Sequence, residues 1–428
     1  MMNHIALKSA NDDGAPIQVF LRTRVKPASI WELGLVSLWM FVTFITFPGD
    51  ELILYPSALI FLVLFIQYRE FTIPLAMKAI VLVGVPVLGL LSFGWAASSS
   101  DAIRVGAMMT LNFLIMVTIA SRLTRQELVR ALLFAGILAI IMAAPKIDTF
   151  AMGGPYGSKQ IFAIRMLVVA MAGTALAYDS GERVWLRILS ACVAAVAYYF
   201  VYIAESATAL VMALGGFVAL TGAWLIWQPA ARIPMLRVVV ILFILGVAAL
   251  GLLALLSVQQ SVLFEKFLNA LGKDTTLTNR TLIWEAGHLA AKEKPWLGHG
   301  LESFWRPDSG AAQTINELDH RAPGTRHSFH NVYIEVQVAL GFVGLILMIC
   351  ALAWSYMNNV VSWLRSQGMA SSFFLAVGSV ILITSFTESY LLNAFDTLVL
   401  LFHLGGLTAI AEPYHRGIRQ PVSLIPNS

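Results

Sequence analysis

A histidine at position 330 stands in the polar run 326–331 (RHSFHN), which leads directly into a long apolar segment. Imidazole takes up a proton near neutral pH, so His330 is a candidate general base, with Asn331 available to orient it. Histidine, asparagine and a tyrosine such as Tyr333 are also common where a helix meets lipid headgroups. The residues alone leave both interpretations, catalysis and interfacial anchoring, open.

A second candidate is Arg280, which begins a predicted helix that carries Trp284 one turn later. A guanidinium is permanently charged and presents two parallel donors that match phosphate oxygens. The N-terminus of a helix also favours an anion. Thr278 can cap this helix and Pro295 ends it. The alternative is that Arg280 is a solvated surface side chain.

Positive charge also accompanies a third polar stretch. A Gly- and Pro-containing turn at 153–157 precedes Lys159, and the predicted span that follows contains Arg165. An ionisable group inside a span is costly and is therefore a functional candidate, whereas Lys159 can simply extend to the headgroups. Ser206, between two predicted spans, is a further candidate, although hydroxyls at such positions more often join helices.

Metal and nucleotide chemistry find little support in the sequence. His327, His330, Glu317, Asp319 and His320 carry metal-ligating atoms, but their spacing defines no site, and we predict no metal and no other cofactor. The chain contains no Walker, GxSxG or HExxH motif. The ATPase, serine-hydrolase and zinc-protease classes are therefore unsupported.

The chain that must position these groups has 428 residues, of which 58% are hydrophobic and 12% are charged. Soluble domains are about 45–50% apolar and about 25% charged, so a soluble globular enzyme, a disordered chain and a coiled coil are excluded. The composition indicates a polytopic membrane protein. The net charge of +4 arises from short basic clusters between apolar runs, so we predict no nucleic-acid partner.

Apolar runs of suitable length predict an all-α protein with about twelve transmembrane helices. The predicted spans are 29–47, 51–67, 74–97, 102–120, 127–145, 160–178, 184–204, 207–227, 236–257, 329–354, 371–392 and 395–411. Fifteen Lys and Arg residues fall on one side of these spans, against only Lys146 and Lys159 in the short loops of the other side. This bias predicts that both termini are cytoplasmic.

The predicted topology divides the chain into five parts. They are a cytoplasmic tail 1–28, helices one to nine within 29–257, a large periplasmic loop 258–328, helices ten to twelve within 329–411 and a cytoplasmic tail 412–428. Loops of this length are usually functional or disordered. Because Arg280 lies in this loop and His330 directly follows it, we expect an active site that faces the periplasm, surrounded by membrane lipids.

Several motifs resemble those of the bacterial O-antigen ligase and polysaccharide polymerase family, which includes polymerases of exopolysaccharide production. The family pattern Asp-x-Thr-Leu-Thr-x-Arg-Thr-x-x-Trp is present at 274–284, and the matching segments continue at 295–305 and 330–344. Ser206-x-Thr208 resembles its Ser-x-Thr segment. One departure is Lys159-Gln160, where the family usually carries Lys-Asn.

The resemblance implies an inner-membrane glycosyltransferase that moves a glycan from an undecaprenyl-diphosphate carrier to a hydroxyl acceptor. The acceptor is lipid A core for a ligase, or a growing O-antigen or exopolysaccharide chain for a polymerase. On this hypothesis Arg280 holds the diphosphate, with Arg165 and Lys159 as further candidates, and His330 deprotonates the acceptor. The remaining predicted substrate-binding residues are Asn331, Tyr333, Trp284 and Ser206.

Two other functions stay open. A protein O-oligosaccharyltransferase would use the same donor but accept Ser or Thr of a protein. A transporter or flippase of polysaccharide precursors would suit many helices with buried cations. The single long loop and the lack of an internal repeat speak against a transporter built from repeated halves.

Overall fold

The computed structural model describes residues 19–21, 28–242, 280–318, 321–366, 368–416 and 420–422. These residues are largely helical, and β1 (Val19–Leu21) pairs antiparallel with β2 (Gln420–Val422), with Val19 opposite Val422. The helices are α1 (Ile30–Phe44), α2 (Glu51–Gln67), α3 (Arg69–Lys78), α4 (Gly84–Leu91), α5 (Ser99–Arg122), α6 (Arg125–Ala143), α7 (Lys159–Tyr178), α8 (Val184–Ile203), α9 (Ala207–Gly222), α10 (Gln228–Ala230), α11 (Arg280–Glu293), α12 (Gly310–Leu318), α13 (Val332–Arg365), α14 (Met369–Thr384) and α15 (Thr397–Arg416). Short 3-10 segments lie at Ile80–Val83, Ser92–Gly94, Ala144–Met152, Gly154–Tyr156 and Tyr390–Leu392, and Ala223–Trp227 is π-helical.

Within the described ranges, six helical stretches are long and apolar enough to cross a membrane, or seven if α2 and α3, which meet at 97°, form one bent span. Shorter apolar helices lie at Ile30–Phe44, Ile80–Gly94, Met369–Thr384 and Thr397–Glu412. The predicted all-α class is therefore confirmed, and the candidate spans are consistent with a polytopic membrane protein. The count of twelve spans and the five-part division of the chain stay predictions.

Predicted spans match the helices where an apolar run is uninterrupted, as for 160–178 and α7. The prediction of one helix over 74–97 is wrong. The chain passes from α3 through a 3-10 segment into α4 and then into a second 3-10 segment. The helical path is interrupted at Ala79 (φ −105°, ψ 19°), the C-cap of α3, and Pro86, which lacks a backbone donor, lies in the first turn of α4.

Helix α7 is the centre of the bundle. Every residue from Phe162 to Leu176 is buried, and α7 packs against α6, α8 and α9. A helix that is apolar on all sides is stable only when neighbours surround it. The N-terminus of α7, which begins at Lys159, is thereby held in a fixed position.

Helix α13 is longer than the predicted span 329–354 and is broken at Gly341, where φ is +65°. A Cβ at this position would lie 2.2 Å from the carbonyl carbon of Trp296, so only glycine fits. Across the break the amide of Phe342 donates to the carbonyl of Pro295 at 2.8 Å. The polar segment that follows α11 is therefore tied to the helix that begins beside His330.

The predicted span 371–392 is wrong at its end, because α14 stops at Thr384 and residues 385–396 follow an irregular path into α15. Backbone amides of this 385–396 segment form local turns, and some of its carbonyls accept hydrogen bonds from distant parts of the chain. The amide of Val332, for example, donates to the carbonyl of Ser385 at 3.0 Å. The segment thus lies against the start of α13.

The predicted loop helix is confirmed as α11. Its proposed cap, Thr278, lies outside the described residues, as do positions 243–257 of the predicted span 236–257.

Candidate active site

A cavity of about 810 Å³ opens at one end of the helix bundle. It is lined by the turn before α7, the start of α11, the run 321–330 and the 385–396 segment. The charged and imidazole side chains that line it are Lys159, Arg280, Arg321, Arg326, His327, His330 and Glu388. We call it the basic cavity, because its described lining contains four cationic side chains and one carboxylate, and a second carboxylate, Glu302, pairs with Arg326. Such an excess attracts an anionic ligand.

Glu388 contacts both of the residues, Arg280 and His330, that the sequence predicts to be catalytic. Arg280 donates from Nη2 to Oε1 of Glu388 at 3.1 Å and from Nη1 to the carbonyl of Thr387 at 2.6 Å. The other carboxylate oxygen, Oε2, lies 3.4 Å from Nδ1 of His330. The Glu388 side chain is 7% exposed, so this carboxylate is held mainly by its two partners.

The backbone fixes the direction of His330. Its φ of +50° is in the left-handed region, which non-glycine residues adopt only when their surroundings impose it. The next residue, Asn331, caps α13, since its side-chain oxygen accepts from the amides of Tyr333 and Ile334 at 3.0 and 3.3 Å. The Asn331 amide in turn donates to Oγ of Ser389 at 3.1 Å.

Two helix N-termini lie at the basic cavity. Lys159 is the first residue of α7, and Ser158 caps this helix by accepting from the amide of Ile161 at 3.5 Å. Arg280 is the first residue of α11. The positive ends of these helix dipoles add to the side-chain charge. Gln160, the departure from the family pattern, also lines this cavity.

Arg165 lies elsewhere. It is buried and donates from Nη2 to Oδ2 of Asp396 at 2.7 Å, and from Nη1 to the carbonyls of Thr43 and Phe44 at 3.1 and 2.5 Å. It lines a smaller neighbouring cavity and not the basic cavity. Its charge is thus compensated, and its predicted contact with substrate stays a prediction.

Four other predicted substrate-binding residues, Ser206, Trp284, Asn331 and Tyr333, are not among the described residues that line the basic cavity. Trp284 donates from Nε1 to the carbonyl of Phe329 at 2.9 Å, directly before His330. The Tyr333 hydroxyl accepts from Oγ of Ser385 at 3.1 Å. Trp284, Asn331 and Tyr333 therefore support the chain around His330, while Ser206 is buried before α9.

Glu388 was not predicted from the sequence as a site residue. A signal for it existed, because a glutamate inside the predicted span 371–392 is costly and therefore a functional candidate. Arg321 and Arg326 were missed as well, since in a polar loop nothing distinguishes them from solvated side chains.

No three His, Cys, Asp or Glu side chains of the described residues are arranged to hold a metal ion. Two members of the weak metal motif, Asp319 and His320, lie outside those residues.

Comparisons with known proteins bear on this site. Residues 191–349 match a family model described as O-antigen ligase. The exopolysaccharide production protein ExoQ of Rhizobium meliloti (strain 1021) is 32% identical over 144 residues, which is 33% of this chain and 33% of that protein. The match thus spans about a third of the relative's length. Arg280 and His330 lie within 191–349, whereas Lys159 and Glu388 lie outside it. Both matches confirm the resemblance indicated by the motifs.

Proposed function

We propose that this member of the O-antigen ligase and polysaccharide polymerase family transfers a glycan from undecaprenyl diphosphate to a hydroxyl acceptor at the basic cavity. The observation that carries the proposal is the shared carboxylate of Glu388, which places Arg280 beside His330. Transfer from a diphosphate carrier needs an anion site and a base at one place. The basic cavity supplies both.

In the proposed step, the acceptor hydroxyl oxygen attacks the anomeric carbon and forms the new glycosidic bond. The bond from that carbon to the phosphate oxygen breaks, and undecaprenyl diphosphate leaves with the electron pair. Arg280 and Lys159 stabilise the negative charge that develops on the leaving group. The hydroxyl proton passes to His330. A single displacement inverts the anomeric configuration.

Glu388 has a defined part in this step. A carboxylate accepts hydrogen bonds but does not donate them when ionised, so its contact with Nδ1 of His330 favours the tautomer protonated there. Nε2 then remains available as the proton acceptor. The same carboxylate stabilises the imidazolium that forms, as the third member does in other nucleophile–base–acid arrangements.

The topology belongs to the proposal as well. We place the basic cavity on the periplasmic side of the inner membrane, with twelve spans and both termini in the cytoplasm, because the Lys and Arg distribution favours this orientation. A membrane-impermeant maleimide should label Ser309→Cys in spheroplasts, in a background with Cys192 and Cys350 replaced by serine. Labelling that requires lysed cells would reverse the orientation.

For the acceptor, we favour a growing polysaccharide over lipid A core. The support is the match to a relative named for exopolysaccharide production. A protein acceptor and simple translocation of the donor are the competing functions.

The test uses the full chain in lipid nanodiscs with an undecaprenyl-diphosphate oligosaccharide. The donor is supplied alone, with lipid A core, or with a Ser- and Thr-containing peptide. We expect chain growth and release of undecaprenyl diphosphate with the donor alone, and loss of both in His330→Ala. Arg104→Ala, at an exposed arginine paired with Asp101, is the matched control. Folded protein that releases no undecaprenyl diphosphate under any condition would refute the proposal.

A further inference from the structure

A second cavity, of about 370 Å³, adjoins the basic cavity. Ile161, Arg326 and Asn393 line both spaces, so the two cavities meet at these three side chains. The other walls come from the end of α1, from Tyr156 and from residues 392–396.

Charge distinguishes the two spaces. In the second cavity the described lining contains two arginines and two carboxylates, and they are paired: Arg165 with Asp396 at 2.7 Å, and Arg326 with Glu302. We call it the neutral cavity. Because each cation already has a carboxylate partner, this space has no excess charge with which to attract a diphosphate.

Two polar atoms on residues that line the neutral cavity have no hydrogen-bond partner in the described part of the chain. The Tyr156 hydroxyl and Nε of Arg165 are buried without a hydrogen-bond partner among the residues that the structure describes. Buried polar atoms are nearly always hydrogen-bonded, so each such exception needs an explanation. Burial also raises the pKa of the Tyr156 phenol above its usual range, which keeps the hydroxyl protonated and able to donate.

The remaining wall suits a small ligand. Phe44, Phe395 and the Tyr156 ring supply apolar surface, and the Asn393 side chain supplies both a donor and an acceptor. Apolar walls with a few placed polar groups are typical of ligand pockets, whose volumes are about 300–1,000 Å³.

We propose that the neutral cavity binds an uncharged sugar residue while the diphosphate occupies the basic cavity. Hydroxyls of the sugar pair with Tyr156 and Asn393, and its apolar ring face packs on the aromatic wall. This inference rests on the proposed function, and it names the part of the substrate that this space recognises. The sugar belongs either to the acceptor chain or to the donor glycan, and the two sources are separated by kinetics.

The first test is Tyr156→Phe, which removes the hydroxyl and keeps the ring. The KM values are measured separately for the lipid-linked donor and for a carrier-free oligosaccharide acceptor. We expect one KM to rise about three- to tenfold, with kcat changed less than about twofold, as for loss of one hydrogen bond to a neutral partner. Tyr202→Phe, at an exposed tyrosine of α8, is the matched control and should change neither value.

A second variant fills the space. Val105 lines the neutral cavity but not the basic cavity, so Val105→Phe should weaken sugar binding more than Tyr156→Phe does. Binding of inorganic pyrophosphate to the basic cavity should be unchanged. A rise in acceptor KM assigns the space to the acceptor, and a rise in donor KM assigns it to the donor glycan.

Unchanged KM values in both folded variants would overturn the inference. Direct binding of the carrier-free oligosaccharide, measured by calorimetry, separates this outcome from failure of the proposed function. Binding that depends on Tyr156 in a protein without transfer activity would refute the reaction but not the sugar site.

Discussion

Arginines occur at both ends of the helix bundle, and their surroundings differ. Away from the basic cavity, Arg122 donates to both carboxylate oxygens of Glu32 at 2.6 and 2.9 Å, and both side chains are buried. Nearby, Arg125 donates to the Thr408 hydroxyl at 3.1 Å and to the carbonyl of Gly405 at 2.6 Å. At the basic cavity, Arg280 pairs with Glu388 and Arg326 pairs with Glu302, so the four cations of the described lining outnumber these two carboxylates.

This difference between the two groups of arginines shows that burial of a cation does not by itself indicate a binding site. A cation that is fully compensated by carboxylates and carbonyls joins helices, and removing it leaves a buried charge behind. Arg165, with Asp396 and two carbonyls, is of the compensated kind. Arg280 is also paired, with Glu388 and the carbonyl of Thr387, but it differs in lining a cavity whose cations outnumber its carboxylates. An uncompensated excess of charge in an open cavity is what predicts an anionic ligand.

The largest difference in activity is expected between variants of two histidines, His330 and His403. His330→Ala should lower kcat by about 10²–10⁴-fold, because a general base is lost, and should leave the thermal midpoint nearly unchanged. His403, buried and 2.7 Å from Oγ of Ser355, is the matched control. His403→Ala should lower stability but keep activity per folded molecule. Equal losses of activity in both variants would contradict the distinction.

Two arginines give the next largest contrast. Arg280→Ala should lower kcat/KM by about 10²–10³-fold, as for loss of one donor to developing negative charge. Arg122→Ala leaves Glu32 buried and unpaired, so the free energy of unfolding should fall by about 3–5 kcal/mol. Activity assays and denaturant titrations in the same detergent measure both. If Arg122→Ala inactivates folded protein, a position at the basic cavity is not what makes an arginine important for activity.

A smaller effect is expected for Glu388→Gln, which keeps the size of the side chain and removes its charge. We expect kcat to fall about 10–100-fold, because His330 loses the partner that favours its tautomer and stabilises its charged form. The losses should not add: the double variant with His330→Ala should be no slower than His330→Ala alone. Additive losses would show that Glu388 acts independently of His330.

The smallest effect is expected for Lys159→Gln. Lys159 contributes one charge at the N-terminus of α7, so the donor KM should rise about three- to tenfold, and less at high salt. Lys146→Gln, at an exposed lysine before the same turn, is the matched control. An equal change in both lysine variants would indicate general attraction of anions and not a contact in the cavity.

Much of the fold and part of the site could be predicted from local sequence. Apolar runs predicted the membrane class, and α7 matches its predicted span to within one residue. The broken helices were not predicted, because hydropathy does not distinguish a continuous helix from an equally apolar chain that is interrupted, as at Ala79 and Gly341. Arg280 and His330 were selected because each lies in a polar motif at the edge of an apolar run.

Local sequence patterns were therefore sufficient to predict the membrane class and the two residues proposed to carry the chemistry. Only the tertiary structure decided which charges are compensated. Glu388 lies 58 residues from His330 along the chain, and Asp396 lies 231 residues from Arg165. Hydropathy and helix signals depend on neighbouring residues, whereas an ion pair depends on which distant segments the packed helices bring together.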